Sequence, residues 1–199
     1  MPDAAVPIER PSLGAMPVSA RSVGPFGVVV FLASDVMLFA PFFAAYFVLR
    51  ASNDPWPPAG VELETARAAI ATVVLVASSF TLLAADRAAE HERGAAAQRR
   101  WLLVTVALGA AFLANQIVEY ATLDFGADSH PYGSAYWMLT GLHSAHVASG
   151  LVAMMLLFVR SARGAPRSTT SSWTVGVSLF WHLVDAIWVA VFLTIWVVR

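Results

Sequence analysis

Six ionisable side chains fall inside apolar stretches of this chain. His182 and Asp185 lie three residues apart, as do His143 and His146, so each pair shares one helix face. Asp35 has only Phe31, Leu32, Leu38 and Phe39 one helical turn away, and Glu119 shares its face with Gln116. An ionisable group deep in a bilayer is costly unless paired or hydrated, which makes each a candidate for function. A histidine beside an aspartate can handle protons or bind a ligand. Two histidines with a carboxylate from another helix begin a metal-ligand set. A lone buried carboxyl suits a proton relay or reaction with a carbodiimide.

Each possibility competes with plain packing. For His182 and Asp185 the favoured reading is a mutually satisfied polar pair that locks helices, an interhelical hydrogen bond being worth about 1 kcal/mol. Around His143 and His146, the small residues Gly141, Ser144, Ala145, Ala148, Ser149 and Gly150 form a close-packing seam. Packing with interhelical hydrogen bonding is therefore preferred to metal binding there. Asp35 is either a relay acid or the partner of a histidine on another span, and both readings stay open. Glu119 and Gln116 are expected at the outer interface, with Glu119 solvated or capping a loop. No catalytic, cofactor-binding or metal-ligating residue is predicted in this chain.

The elements that carry these residues follow from composition. Of 199 residues, 58% are hydrophobic and 13% charged, with a mean hydropathy of +0.67. A soluble domain has about a quarter of its residues charged, so the fold class expected is all-α, a polytopic membrane helix bundle. There is no cysteine, which removes disulfides, thiolate metal sites and thiol catalysis. Apolar runs of spanning length lie at about 24–49, 67–86, 101–120, 133–159 and 173–198. Together they make a transmembrane domain over residues 23–199, preceded by a proline-bearing tail over 1–22 that is expected to be disordered. Pro41 lies inside the first span, where a membrane helix tolerates it. The phenylalanine-rich stretch around it (Phe39, Phe42, Phe43, Tyr46, Phe47) reads as lipid-facing or packing surface. Asn53 to Pro58 cannot be helical and reads as a rigid outer loop with Trp56 at the interface.

Every basic residue is arginine, and the arginines alternate between loops. Arg10 and Arg21 precede the first span; Arg87, Arg93, Arg99 and Arg100 follow the second; Arg160, Arg163 and Arg167 follow the fourth. The intervening loops are acidic. The positive-inside rule then places the N-terminus in the cytoplasm and the C-terminus outside. At a rise of about 1.5 Å per residue, Asp35, His182 and Asp185 lie roughly 13 to 18 Å from the cytoplasmic face. His143 and His146 fall near the same mid-membrane layer, so His143, His146, His182 and Asp185 are expected to form a polar packing network. Glu119 lies near the outer surface.

Four segments then resemble one family. Phe31-Leu32-Ala33-Ser34-Asp35, running on through Pro41 to Phe47, resembles the helix of cytochrome c oxidase subunit III that carries Ser-Glu before an aromatic-rich segment. Gln116-Ile117-Val118-Glu119-Tyr120 is similar to its Gln-x-x-Glu-Tyr, and Gly141-Leu142-His143-Ser144-Ala145-His146-Val147 to its Gly-Phe-His-Gly-x-His-Val. Phe180-Trp181-His182-Leu183-Val184-Asp185-Ala186-Ile187-Trp188 is similar to its closing Tyr-Trp-His-Phe-Val-Asp-x-x-Trp. The resemblance covers about residues 24–199. Two departures stand out: the family's carbodiimide-reactive glutamate is aspartate here, Asp35, and the chain has five spans where many relatives have seven.

The resemblance implies an accessory subunit of a haem-copper terminal oxidase in a bacterial plasma membrane, with no redox centre of its own. Haem and copper belong to the partner subunits I and II, subunit I being the direct contact. The implied roles are to stabilise subunit I, hold phospholipid and sustain proton uptake, with no nucleic-acid partner. Within the family, subunit III of a quinol oxidase and the accessory protein of nitric oxide reductase are alternatives. Outside it stand a small proton or solute transporter, and a membrane enzyme or metalloprotein using His143, His146, His182 and Asp185.

Overall fold

The computed structural model describes residues 20–90, 94–164 and 167–198. Five helices follow one another: α1 (Ala20–Ser52), α2 (Thr65–Glu90), α3 (Ala95–Thr122), α4 (Pro131–Ala162) and α5 (Arg167–Phe192). No strand occurs among the described residues, and all five helices are long and apolar enough to cross a membrane. α1 to α4 each run past both ends of the apolar stretch, α2 taking in both Arg67 and Asp86. Charged and alanine-rich turns are good helix formers, so the backbone continues where the hydrocarbon-compatible run stops. α1 starts at Ala20, making residues 20–22 of the expected tail helical. The remainder of that tail lies outside the described residues. α5 passes into a π-helical turn, Leu193–Val198, that no hydrophobic pattern announces.

Helix ends are set by local chemistry. Asn53 donates from its side chain to Leu49 O at 2.8 Å, taking up a free carbonyl where α1 stops. α4 opens with His130, whose Nδ1 accepts from Gly133 N at 2.8 Å, followed by Pro131, which lacks the N–H the first turn would waste. Gly133 is required here, since a Cβ would stand 2.6 Å from Gly126 O. Trp56, expected at the interface, packs onto the bundle as well. Its indole folds back over the bundle end, edge-on to Tyr46 at 5.4 Å and to Tyr132 at 5.1 Å, because the proline-flanked loop turns it inward.

α2, α3, α4 and α5 close a ring of neighbours, α2 on α3, α3 on α4, α4 on α5 and α5 on α2, while α1 lies outside against α4 and α5. Lipid tails are as apolar as leucine, so such a ring is held by close packing and interhelical hydrogen bonds. Trp181 is the central wedge. Its indole is fully buried between Gly109 of α3 and Gly150 of α4, where a Cβ on either would meet the ring at 2.7 Å. Its Nε1 donates to Ser78 Oγ of α2 at 2.9 Å. One side chain of α5 thus touches the other three members of the ring. On α1, Phe39 and Tyr46 are buried while Phe47 is exposed, so the phenylalanine-rich stretch both packs and faces outward.

Candidate functional site

The ionisable residues within the apolar spans separate into two clusters and one isolated ring. In the first cluster, Asp35 of α1 faces His146 of α4, with Oδ1 and Nε2 3.8 Å apart. His146 Nδ1 lies 2.8 Å from Leu142 O, and a carbonyl only accepts, so Nδ1 carries the proton. Nε2, the nitrogen that can gain or lose a second proton, is therefore the one aimed at the carboxyl. Phe39, at 5.0 Å, and Phe180, at 6.4 Å between ring centroids, wall the pair in.

The second cluster joins α5 to α2. His182 and Asp185 share a face as their spacing requires, but Ser79 of α2 stands between them. Its Oγ donates to Asp185 Oδ2 and lies 3.0 Å from His182 Nδ1. A serine has one proton to give, so with that proton on Asp185 its oxygen accepts from Nδ1–H. In an acyl-transfer triad the histidine bridges serine and carboxylate; here the serine bridges, and nucleophile activation is not what this order provides. Further hydrogen bonds extend the seam along the same two helices. Ser178 donates to Asp86 Oδ2, Trp181 to Ser78, and Trp188 Nε1 to Thr72 Oγ1 at 3.0 Å.

His143 joins neither cluster. It is wholly buried, edge-on to Phe112 at 5.8 Å and tilted over Trp188 at 4.8 Å, and neither ring nitrogen has a hydrogen-bond partner. His143 faces α3 and α5 while His146 faces α1, although three residues separate them. Among the described residues no group of three or more His, Cys, Asp or Glu side chains converges as a metal site would require. The single network expected of His143, His146, His182 and Asp185 is therefore not joined by hydrogen bonds.

Glu119 differs from its expected solvated state. It is 5% exposed and accepts from Tyr136 Oη at 3.0 Å, because α4 brings Tyr136 and Trp137 over the end of α3. Beside it, Tyr120 donates to Thr140 Oγ1 at 2.9 Å and stacks on Trp137 at 4.4 Å. Gln116, one turn back, is also buried. Asn115 receives Arg67 through Nε at 2.9 Å and through its backbone oxygen at 3.1 Å. Ser79, Asp86 and Tyr136 were not singled out by sequence. The available signal was the pair Ser78-Ser79 in the middle of an apolar run.

The chain matches the family profile described as cytochrome c oxidase subunit III over residues 11–198, which takes in every residue of both clusters. The chain belongs to the cytochrome c oxidase subunit III family. It is 40% identical over 179 residues to the probable cytochrome c oxidase subunit 3 of Nocardia farcinica, covering 87% of each chain. To the cytochrome c oxidase subunit 3 of Thermostichus vulcanus it is 34% identical over 174 residues, covering 86% of this chain and 85% of the relative. To that of a Synechocystis species it is 34% identical over 173 residues, covering 86% and 74%. As a subunit III, the chain is part of an oxidoreductase complex with other oxidase subunits, and its five apolar helices make it a multi-pass membrane protein.

Proposed function

We propose that this subunit III is the non-redox accessory subunit of a respiratory haem-copper terminal oxidase in a bacterial plasma membrane. It stabilises subunit I by direct contact, retains phospholipid and supports proton uptake during oxygen reduction. Haem and copper are assigned to subunits I and II. The N-terminus is cytoplasmic and the C-terminus outside, which the alternation of arginine-bearing loops supports.

The observation that carries this reading is the Asp35–His146 pair. The intramembrane carboxyl stands 3.8 Å from a histidine nitrogen whose ring is anchored through its other nitrogen on Leu142 O, so the acid has a fixed polar partner on another helix. The aspartate is one methylene shorter than the glutamate of the resembling segment, and α4 meets it across the gap. Phospholipid retention is supported by a groove between α2 and α3. Ile70, Val74 and Phe112 line it for an acyl chain, and Arg67, hydrogen-bonded to Asn115 and 3.8 Å from Glu64, stands at its edge.

The test is purification through a tag on the N-terminus in mild detergent, with identification of co-purifying chains and a reduced-minus-oxidised haem spectrum. Haem bands with oxidase subunits I and II are expected. A colourless chain that purifies alone would overturn the reading.

A further inference from the structure

The seam between α2 and α5 contains an arrangement that helix packing alone does not require. Ser79 Oγ contacts His182 Nδ1 and Asp185 Oδ2 together. His182 Nε2 and Asp185 Oδ1 take no hydrogen bond from the described residues. The histidine ring is partly exposed, while its Nε2 and the carboxyl behind the serine are both enclosed. One turn toward the arginine-rich end, Ser178 donates to Asp86, the acid nearest the membrane surface in this seam. Asp86, His182, Ser79 and Asp185 thus form a file from the helix ends toward mid-span.

We propose that Ser79 makes His182 and Asp185 one proton-exchanging site, in which a proton taken up at the histidine is delivered through the serine hydroxyl to the buried carboxyl. In the first arrangement His182 Nδ1–H donates to Ser79 Oγ, whose own proton is donated to Asp185 Oδ2. When both protons advance by one atom, the Nδ1–H bond breaks and a new Oγ–H bond forms. The old Oγ–H bond breaks as Oδ2–H forms. Serine begins and ends as a neutral hydroxyl, the imidazolium becomes a neutral imidazole and the carboxylate a carboxylic acid. Charge is thereby annihilated inside the membrane, where separated charge is most costly. The serine hydroxyl can accept on one side and donate on the other, as this exchange requires.

The other titratable groups around α5 are known positions. Asp86 and, beyond it, Glu90 lie on α2. On α4, His143 lies behind Trp188, His146 beside Phe180, and Arg160 over Trp173; on α1, Asp35 is held at His146. None of these reaches Ser79 by a hydrogen bond, so the exchange is confined to three side chains. The inference does not rest on the oxidase reading, because it concerns groups of this chain alone.

The experiment follows the carboxylic C=O stretching band of Asp185 by infrared difference spectroscopy on the full-length chain in its purified complex, identified by its loss in Asp185→Asn. After transfer to heavy water the band shifts as the carboxyl exchanges its proton, and the rate of that shift is the readout. Ser79→Ala is expected to slow exchange roughly tenfold or more, while Ser79→Thr, which keeps the hydroxyl, exchanges like the parent. His182→Asn gives the same test from the other end, since its amide can hydrogen-bond Ser79 but takes up no proton. It too is expected to slow exchange, and it serves if Ser79→Ala loses helix content. Exchange at the parental rate in a folded Ser79→Ala or His182→Asn would overturn the relay. So would the absence of any Asp185 band across the pH range in which the complex is stable.

Discussion

The ring of Trp181 lies so close to Gly150 that a methyl on that glycine would sit 2.7 Å from Cε3. The same indole is as close to Gly109, at Cη2, so the tryptophan is held in a slot against the backbones of two helices at once. A slot of this kind holds its occupant by contact area, which is the main source of helix association where water is absent. It also makes both glycines intolerant of growth.

Gly150→Ala is therefore expected to destabilise the bundle by about 1–3 kcal/mol, the usual cost of forcing added volume into a packed core. Combining it with Trp181→Leu, which empties the slot, should cost less than the sum of the two changes. Unfolding by increasing fractions of a denaturing detergent, followed by helix content, measures both. Strict additivity would mean that the two side chains do not compete for one space.

Breaking the seam from the α5 side gives a second test. Asp185→Leu leaves Ser79 able to donate to His182, whereas Ser79→Ala strands both ionisable groups at once. Ser79→Ala is expected to be the more destabilising, by about 1 kcal/mol beyond Asp185→Leu, since each unmet buried polar group carries its own cost. The same detergent unfolding series ranks the two, and the opposite ranking would remove Ser79 from its bridging place.

At the other end of α3, Tyr136→Phe removes the donor to Glu119 and leaves a buried carboxyl unpaired. A loss of about 1–3 kcal/mol is expected, recovered in large part by adding Glu119→Leu, which removes the orphaned group as well. Thermal inactivation of the purified complex reads this directly. An unaltered Tyr136→Phe would show that the hydrogen bond contributes nothing to holding α4 on α3.

Topology can be checked without purification. A reporter active only outside the cytoplasm should work when fused after Arg199 and fail when fused before Met1. Reversal of both signals would overturn the orientation drawn from the arginines.

The helices were legible in the sequence because five runs are long, apolar and separated by charged or proline-bearing loops. Asp35 and His146 were legible as residue types, since carboxylate and imidazole are rare in such runs. Which histidine would meet Asp35 was not, because partner choice depends on how α4 is rotated. Ser79 was illegible for a different reason. A hydroxyl in a membrane helix is normally satisfied by its own backbone, as Ser34 is by Val30 O at 2.9 Å and Ser144 by Thr140 O at 2.8 Å. Nothing in the sequence distinguishes a serine that turns outward to a neighbour from one that turns back. The burial of Glu119 was likewise hidden, since a position near the end of a span says nothing about the aromatic residues of the next helix.

α1 stands outside the four-helix ring, and among the described residues its one ionic contact is to a side chain that lies more than a hundred positions later in the chain. During synthesis the first helix therefore reaches the membrane with Asp35 unmatched, and two further helices must be laid down before His146 exists. Until then the carboxyl lies unmatched among apolar side chains, at a cost of about 3 kcal/mol. The early cost of placing an acid in the leading helix is borne by biogenesis and cancelled only when the fourth helix arrives.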